Sequence, residues 1–178
     1  MIFRNKIKYY RFNNKYILIF IIASTFFLIN SCSVKYSFSG ASIPPEVKTF
    51  SIQYIAIRAP LATANLNQRL TDKLREKIES QTNLVYSTGN ADVDFDGEIK
   101  RYDTQPTTIT ADERAAQNKL TIGVRIKFTN MSDSELDYDK TFSRFEEYAS
   151  SGDVDEALED SILDEIVQDI FNESFVNW

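Results

Sequence analysis

The sequence predicts an α+β domain: two helices packed on one face of a four-stranded, mainly antiparallel sheet, in the order β-α-β-β-β-α. Three observations carry this reading. Three runs between residues 93 and 142 alternate apolar and polar residues, as strands with one dry and one wet side do. Two other stretches repeat apolar residues every four positions, the mark of a helix with a single buried stripe. A short strand lies ahead of the first helix, so one helix precedes the meander and another returns after it, which suits a helical layer on a sheet. With 178 residues, 43% of them hydrophobic, the chain holds one packed core and no more.

Residues 1–31 read as an export signal. Arg4, Lys6, Lys8, Arg11 and Lys15 precede an apolar run from Tyr16 to Ile29, which is shorter than the roughly 20 residues a bilayer-spanning helix needs. The run ends in Leu28-Ile29-Asn30-Ser31-Cys32, which resembles a lipobox. Cleavage after Ser31 would leave Cys32 as the lipidated first residue, and acyl chains contributing about 0.8 kcal/mol per buried CH2 would hold it on a membrane. Residues 32–47 are rich in serine, with Gly40 and the pair Pro44-Pro45, and read as an extended tether. Residues 48–178 form the single domain.

Within it, Phe50-Ser-Ile-Gln-Tyr54 alternates and Ile55-Ala-Ile57 shifts parity, which predicts a strand with a bulge, stopped by Pro60. Asn65 and Gln68 have capping-box spacing, and Leu66, Leu70, Leu74 and Ile78 step by four, so the first helix is expected over 64–81. A short apolar piece, Leu84-Val85-Tyr86, precedes the turn signal Gly89-Asn90. The meander follows. Val93, Phe95, Gly97 and Ile99 share one face, then Leu120, Ile122, Val124, Ile126 and Phe128, then Leu136, Tyr138 and Phe142. Residues 130–134 read as a tight hairpin turn and 104–115 as a long polar loop. Asp153 and Glu156 repeat the capping-box spacing, and Val154, Leu158, Ile162, Ile166 and Ile170 predict the second helix over 153–173.

Charge and composition narrow the function. Five of the 20 Lys and Arg residues and none of the 26 Asp and Glu precede the apolar run, so the chain from Cys32 onward carries −11, which disfavours nucleic acid. Residues 145–178 hold 11 acidic residues and no basic one; the acidity belongs to the second helix. One cysteine and no histidine exclude an internal disulfide, Ser-His-Asp and Cys-His catalysis, and the usual zinc sites. Asp92-Val-Asp94-Phe-Asp96-Gly97-Glu98 matches the opening of an EF-hand loop. Position twelve, however, is Asp103, no helical pattern leads in, and the apolar residues alternate. An acidic wet strand face, paired across the sheet with Lys119, Arg125 or Lys127, is the simpler reading, and no metal site is expected. No pair of carboxylates is singled out for acid and base work, so no catalytic residue is assigned. Tyr36, Phe38, Tyr54, Tyr102 and Tyr148 are candidate exposed aromatics of an interface.

Taken together, these residues resemble the LptE family of LPS-assembly lipoproteins. The likeness covers essentially the whole chain. It rests most on the tether Tyr36-Ser-Phe-Ser-Gly-Ala-Ser-Ile-Pro-Pro-Glu46 and the strand Lys48-Thr-Phe-Ser-Ile-Gln-Tyr54, with further weight from Asn65-Leu-Asn-Gln-Arg-Leu-Thr-Asp-Lys-Leu74 and Asp96-Gly-Glu-Ile-Lys-Arg-Tyr102. The resemblance implies two helices on a four-stranded sheet and an outer-membrane lipoprotein facing the periplasm. It also implies a plug inside the β-barrel protein LptD, which this protein would help to assemble and with which it would insert lipopolysaccharide into the outer leaflet, without catalysis or cofactor. Contact with lipopolysaccharide is implied through basic residues, for which Lys100, Arg101, Lys119, Arg125 and Lys127 are the candidates. The acidity of residues 145–178 departs from a basic lipid-binding surface and suits a helix facing basic groups of a barrel lumen. The alternative is another periplasmic lipoprotein of this fold class, such as an accessory subunit of a lipid-transport ABC system; the partner that co-purifies distinguishes the two.

Overall fold

Alternation becomes sheet and the four-residue stripes become the layer that covers it. The computed structural model describes residues 43–108, 117–149 and 151–176. The expected signal peptide, the cleavage site at Ser31 and Cys32, Tyr36, Phe38 and most of the tether lie outside these residues. Strands β1 (Thr49–Ile52) and β2 (Ala56–Ile57) lead to helix α1 (Leu66–Gln81), followed by β3 (Val85–Tyr86), β4 (Val93–Thr108), β5 (Gln117–Asn130), a 3-10 turn (Ser134–Leu136), β6 (Tyr138–Ala149) and α2 (Glu156–Phe175).

The fold class holds as α+β with two helices, but the sheet has six strands instead of four and is mixed. Its order is β3-β1-β4-β5-β6, with β2 also on β4. The β4-β5-β6 meander is antiparallel, whereas β1 pairs in parallel with both β3 and β4, and β2 in parallel with β4. Two local causes explain the difference. The parity shift read as a bulge is a break, after which the chain rejoins the same neighbour: Gln53 N–H donates to Phe95 O at 2.7 Å and Arg58 N–H to Ile99 O at 2.9 Å. The piece around Val85 is the sheet's edge, with Val85 N–H on Lys48 O at 2.9 Å and Ser87 N–H on Phe50 O at 2.8 Å. Helix α1 supplies the crossover that parallel pairing demands.

Asp92 closes the head of the parallel seam. Its Oδ2 accepts from Lys48 N–H at 2.9 Å, from the Thr49 hydroxyl at 2.8 Å and from Thr49 N–H at 2.9 Å. These donors, Lys48 foremost, hold its carboxyl below the usual carboxylate range. A depressed folded pKa gives stability that is present above the unfolded value, about 3.9, and lost as pH falls through the folded one. Asp92→Asn is therefore expected to melt a few degrees below the parent at neutral pH, with the deficit shrinking below about pH 4. A deficit that does not change with pH would contradict this role.

Neither capping box forms as spaced. Asn65 stands at the first helix's N-cap without a side-chain bond, while Gln68 reaches Asp72 instead at 3.0 Å. The second helix starts later than expected because Asp155, not Asp153, is the cap, accepting from Leu158 N–H at 2.8 Å. The first stripe holds, and the second holds from Ile162 onward, Val154 lying ahead of the helix and Leu158 being half-buried. Leu66, Leu70, Leu74 and Ile78 of α1 are fully buried, as are Ile162, Leu163, Ile166 and Ile170 of α2, against Phe50, Val93, Phe95, Ile99 and the even positions 120–128 of β5. Gly97 belongs to that inner face, and a Cβ there would lie 2.7 Å from both Arg125 O and Ile126 Cδ1, so only glycine lets β4 and β5 approach. The first part of the stretch read as a long polar loop, 104–108, is strand, because β4 keeps pairing with β5 that far; the rest of that expected loop, 109–115, lies outside the described residues.

Candidate functional site

The helices cover one face of the sheet, and all five basic candidates lie on the other. Their placement follows from register. Asp96 faces Lys127 and Glu98 faces Arg125 across β4 and β5, and Lys127 faces Asp139 across β5 and β6. The segment resembling an EF-hand opening is thus the extended strand β4. Asp94 there accepts from Ser51 and, at 2.8 Å, from Gln53 Nε2. Among the described residues no group of three or more His, Cys, Asp or Glu is placed to hold a metal ion.

Between Ile99 and Arg101 the ladder skips a residue. This bulge at Lys100 turns two successive basic residues away from the helices and returns Tyr102 to the inner side. Lys100 then sits 3.5 Å and Arg58 3.7 Å from Glu98, which also accepts from Arg125 at 3.2 Å. Arg125 grips Asp139 with two donors, Nε at 2.7 Å and a second amine. The structure therefore gathers Lys100, Arg125 and Lys127 and adds Arg58. Tyr54, Arg58, Asp96, Gly97, Glu98, Arg125 and Lys127 line a recess of 320 Å³ there. Arg101 and Lys119 stand apart from it: Arg101 pairs with Asp103 at 3.0 Å, and the Lys119 ammonium lies 5.0 Å over the Phe145 ring.

Arg125 lowers the pKa of both Glu98 and Asp139, chiefly by its hydrogen bonds, and its own is raised by the same contacts. These shifts move away from neutrality, opposite to what a general acid or base needs.

Of the candidate aromatics, Tyr54 is exposed at 79%, but Tyr102 and Tyr148 pack against the core. Tyr102 instead donates to Glu159 at 2.7 Å, and its pKa is raised by burial and then by that bond. Phe145, exposed at 55%, is the aromatic that sequence reasoning missed, because its odd position in β6 faces outward.

The acidic helix also finds partners within the chain. Each carboxylate of α2 has a cation within the chain: Glu156, Glu159 and Asp160 meet Arg69, Asp160 and Asp164 meet Lys73, Glu165 and Asp169 meet Arg144, and Glu173 meets Lys140. Seven carboxylates share four cations, so the helix is clamped from α1 on one side and β6 on the other and keeps surplus negative charge. Arg58 and this clamp carry no local signal in the sequence, since both depend on which elements lie side by side.

Residues 47–174 match a family model, LptE, described as lipopolysaccharide-assembly. No curated protein matches the chain in sequence. Similar solved structures include the hypothetical protein CT253 from Chlamydia trachomatis, at 9% identity over 72% of this chain and 98% of that one with a TM-score of 0.49. A minor lipoprotein from Acinetobacter baumannii is 14% identical over 72% and 92%, with a TM-score of 0.40. The PelC dodecamer from Paraburkholderia phytofirmans is 13% identical over 75% and 92%, with a TM-score of 0.44. These three likenesses are too distant to carry function.

Proposed function

The chain belongs to the LptE family of lipopolysaccharide-assembly proteins, and on that basis we propose that it is an outer-membrane lipoprotein that binds, plugs and helps assemble the β-barrel LptD. In this role it supports insertion of lipopolysaccharide into the outer leaflet. Cleavage after Ser31 and lipid on Cys32 anchor it at the periplasmic side, and residues 33–47 give the domain reach from the bilayer. The observation that carries the reading is the extent of the family match, which spans all six strands, the first helix and all but the last residue of the second.

The sheet face opposite the helices supports it. Arg58, Lys100 and Arg125 on it are matched by Glu98 and Asp139, and Arg101 by Asp103, so these charges can enter a wet, polar interface without being stranded, while Lys119 and Lys127 remain to meet a partner. Lipopolysaccharide phosphates would meet Lys100, Lys127 and Lys119 more readily than Arg125, whose guanidinium is engaged by two carboxylates.

The test is affinity purification of the tagged, lipidated chain from detergent-solubilised outer membranes, with partners identified by mass spectrometry. A large β-barrel protein recovered at equal stoichiometry is the expected result. Recovery of ABC-transporter subunits, or of no partner, would overturn the reading.

A further inference from the structure

The two ends of the sheet are unlike. One edge is β3, only two residues long, whereas the other is β6, twelve residues from Tyr138 to Ala149. Among the described residues no backbone hydrogen bond joins the outer side of Tyr138–Tyr148 to another element. Proteins normally guard such an edge with free charge, lysine above all, or with proline. Here both basic guards are tied down, Lys140 to Glu173 and Arg144 to Asp169 at 2.6 and 2.8 Å; Asp139 is held by Arg125 and Glu146 by Ser161, which leaves the acidic Glu147, and β6 contains no proline.

Beside this edge, between β6 and α2, Arg144, Asp164, Glu165, Gln168 and Asp169 line a recess of 410 Å³. Three carboxylates and one cation leave it negative, and Asp164 and Glu165 are exposed at 64% and 52%. A second copy paired edge to edge would set this acidic flank against its own duplicate, and like charges so juxtaposed disfavour association. An extended segment bearing Lys or Arg at alternate positions meets the opposite condition. Its backbone would pair with β6 while a basic side chain enters the recess, the division of labour by which added strands gain affinity and specificity.

We propose that the free edge of β6 receives a basic, extended segment of the barrel partner as a further strand of the sheet. The inference rests on the function proposed above. It is tested by placing the photo-crosslinker p-benzoylphenylalanine at Thr141 or Phe145 of the full lipidated chain in cells, with Val85 on the opposite edge as control. Thr141 and Phe145 should each crosslink to the barrel protein several-fold more than Val85, through a barrel peptide containing Lys or Arg. Glu165→Lys, an exposed change, should lower that yield on the order of tenfold. Crosslinks to a second copy, yields no higher than Val85, or indifference to Glu165→Lys would overturn the edge assignment while the barrel is still recovered with the chain. Failure to recover the barrel at all would instead remove the proposed function, and the edge assignment with it.

Discussion

Glu159→Ala is expected to destabilise the domain by about 3–5 kcal/mol, the range for removing one partner of a buried ion pair. Glu159 is 2% exposed. It accepts from the Tyr102 phenol at 2.7 Å, from Thr63 Oγ1 at 3.1 and 3.2 Å, and from the Arg69 guanidinium. One carboxylate thus joins the loop before α1, α1 itself, β4 and α2. Deleting it leaves a half-buried phenol and a guanidinium, 14% exposed, short of an acceptor. Arg69 keeps Asp160 at 2.8 Å and Glu156 O at 3.2 Å, which places the loss toward the lower end of the range. Urea denaturation of Glu159→Ala, Arg69→Met and the double variant decides it. The double variant should lose less than the two single losses added, because each single change strands the other partner. Strict additivity, or a single loss below about 1 kcal/mol, would mean that the pair is not coupled.

Phe128→Ala is expected to cost a similar amount, about 3–5 kcal/mol, by a different route. The ring is 1% exposed and sits where three elements meet: 5.0 Å from Phe95 of β4, 5.3 Å and stacked on Tyr138 of β6, and 6.1 Å from Phe175 in the last turn of α2. Alanine there removes apolar contact and leaves a cavity that three differently oriented backbones cannot all close. Phe128→Leu should lose less, since it refills part of the volume. Equal losses for the two variants would show that the site collapses around either side chain, and that the cavity does not set the cost.

These two sites also show what the sequence makes legible. Phe128 was placed on the inner face by alternation alone, because a strand buried on one side repeats its demand at every second residue. The helix stripes of Leu66, Leu70, Leu74 and Ile78 were equally plain, for the same reason at a period near four. Glu159 was not legible: it is one acid among many on an acidic helix, and its burial depends on Arg69 and Tyr102, 90 and 57 residues away. Val85–Tyr86 was not legible as a strand either, since two residues are too few to alternate, and Ala56–Ile57 read as the far side of a bulge in the first strand, not as a strand of its own. The sheet therefore read as four-stranded and mainly antiparallel. On the candidate face the wet positions 119, 125 and 127 of β5 could be read directly, but the bulge that brings Lys100 beside Glu98 and the parallel strand that leads to Arg58 could not.

The seam that Asp92 closes has a consequence for the order in which the chain assembles. Joining Thr49 to Asp92 closes a loop of 43 residues, whereas joining Asn130 to Asp137 closes one of seven. Loop entropy grows as about (3/2)RT ln n, so the longer closure costs about 1.6 kcal/mol more before any contact repays it. The meander therefore closes at the lower cost, a template that forms from neighbours in the chain. Strand β1, though nearer the N-terminus, is the late arrival that waits for α1 to carry the chain back across the sheet.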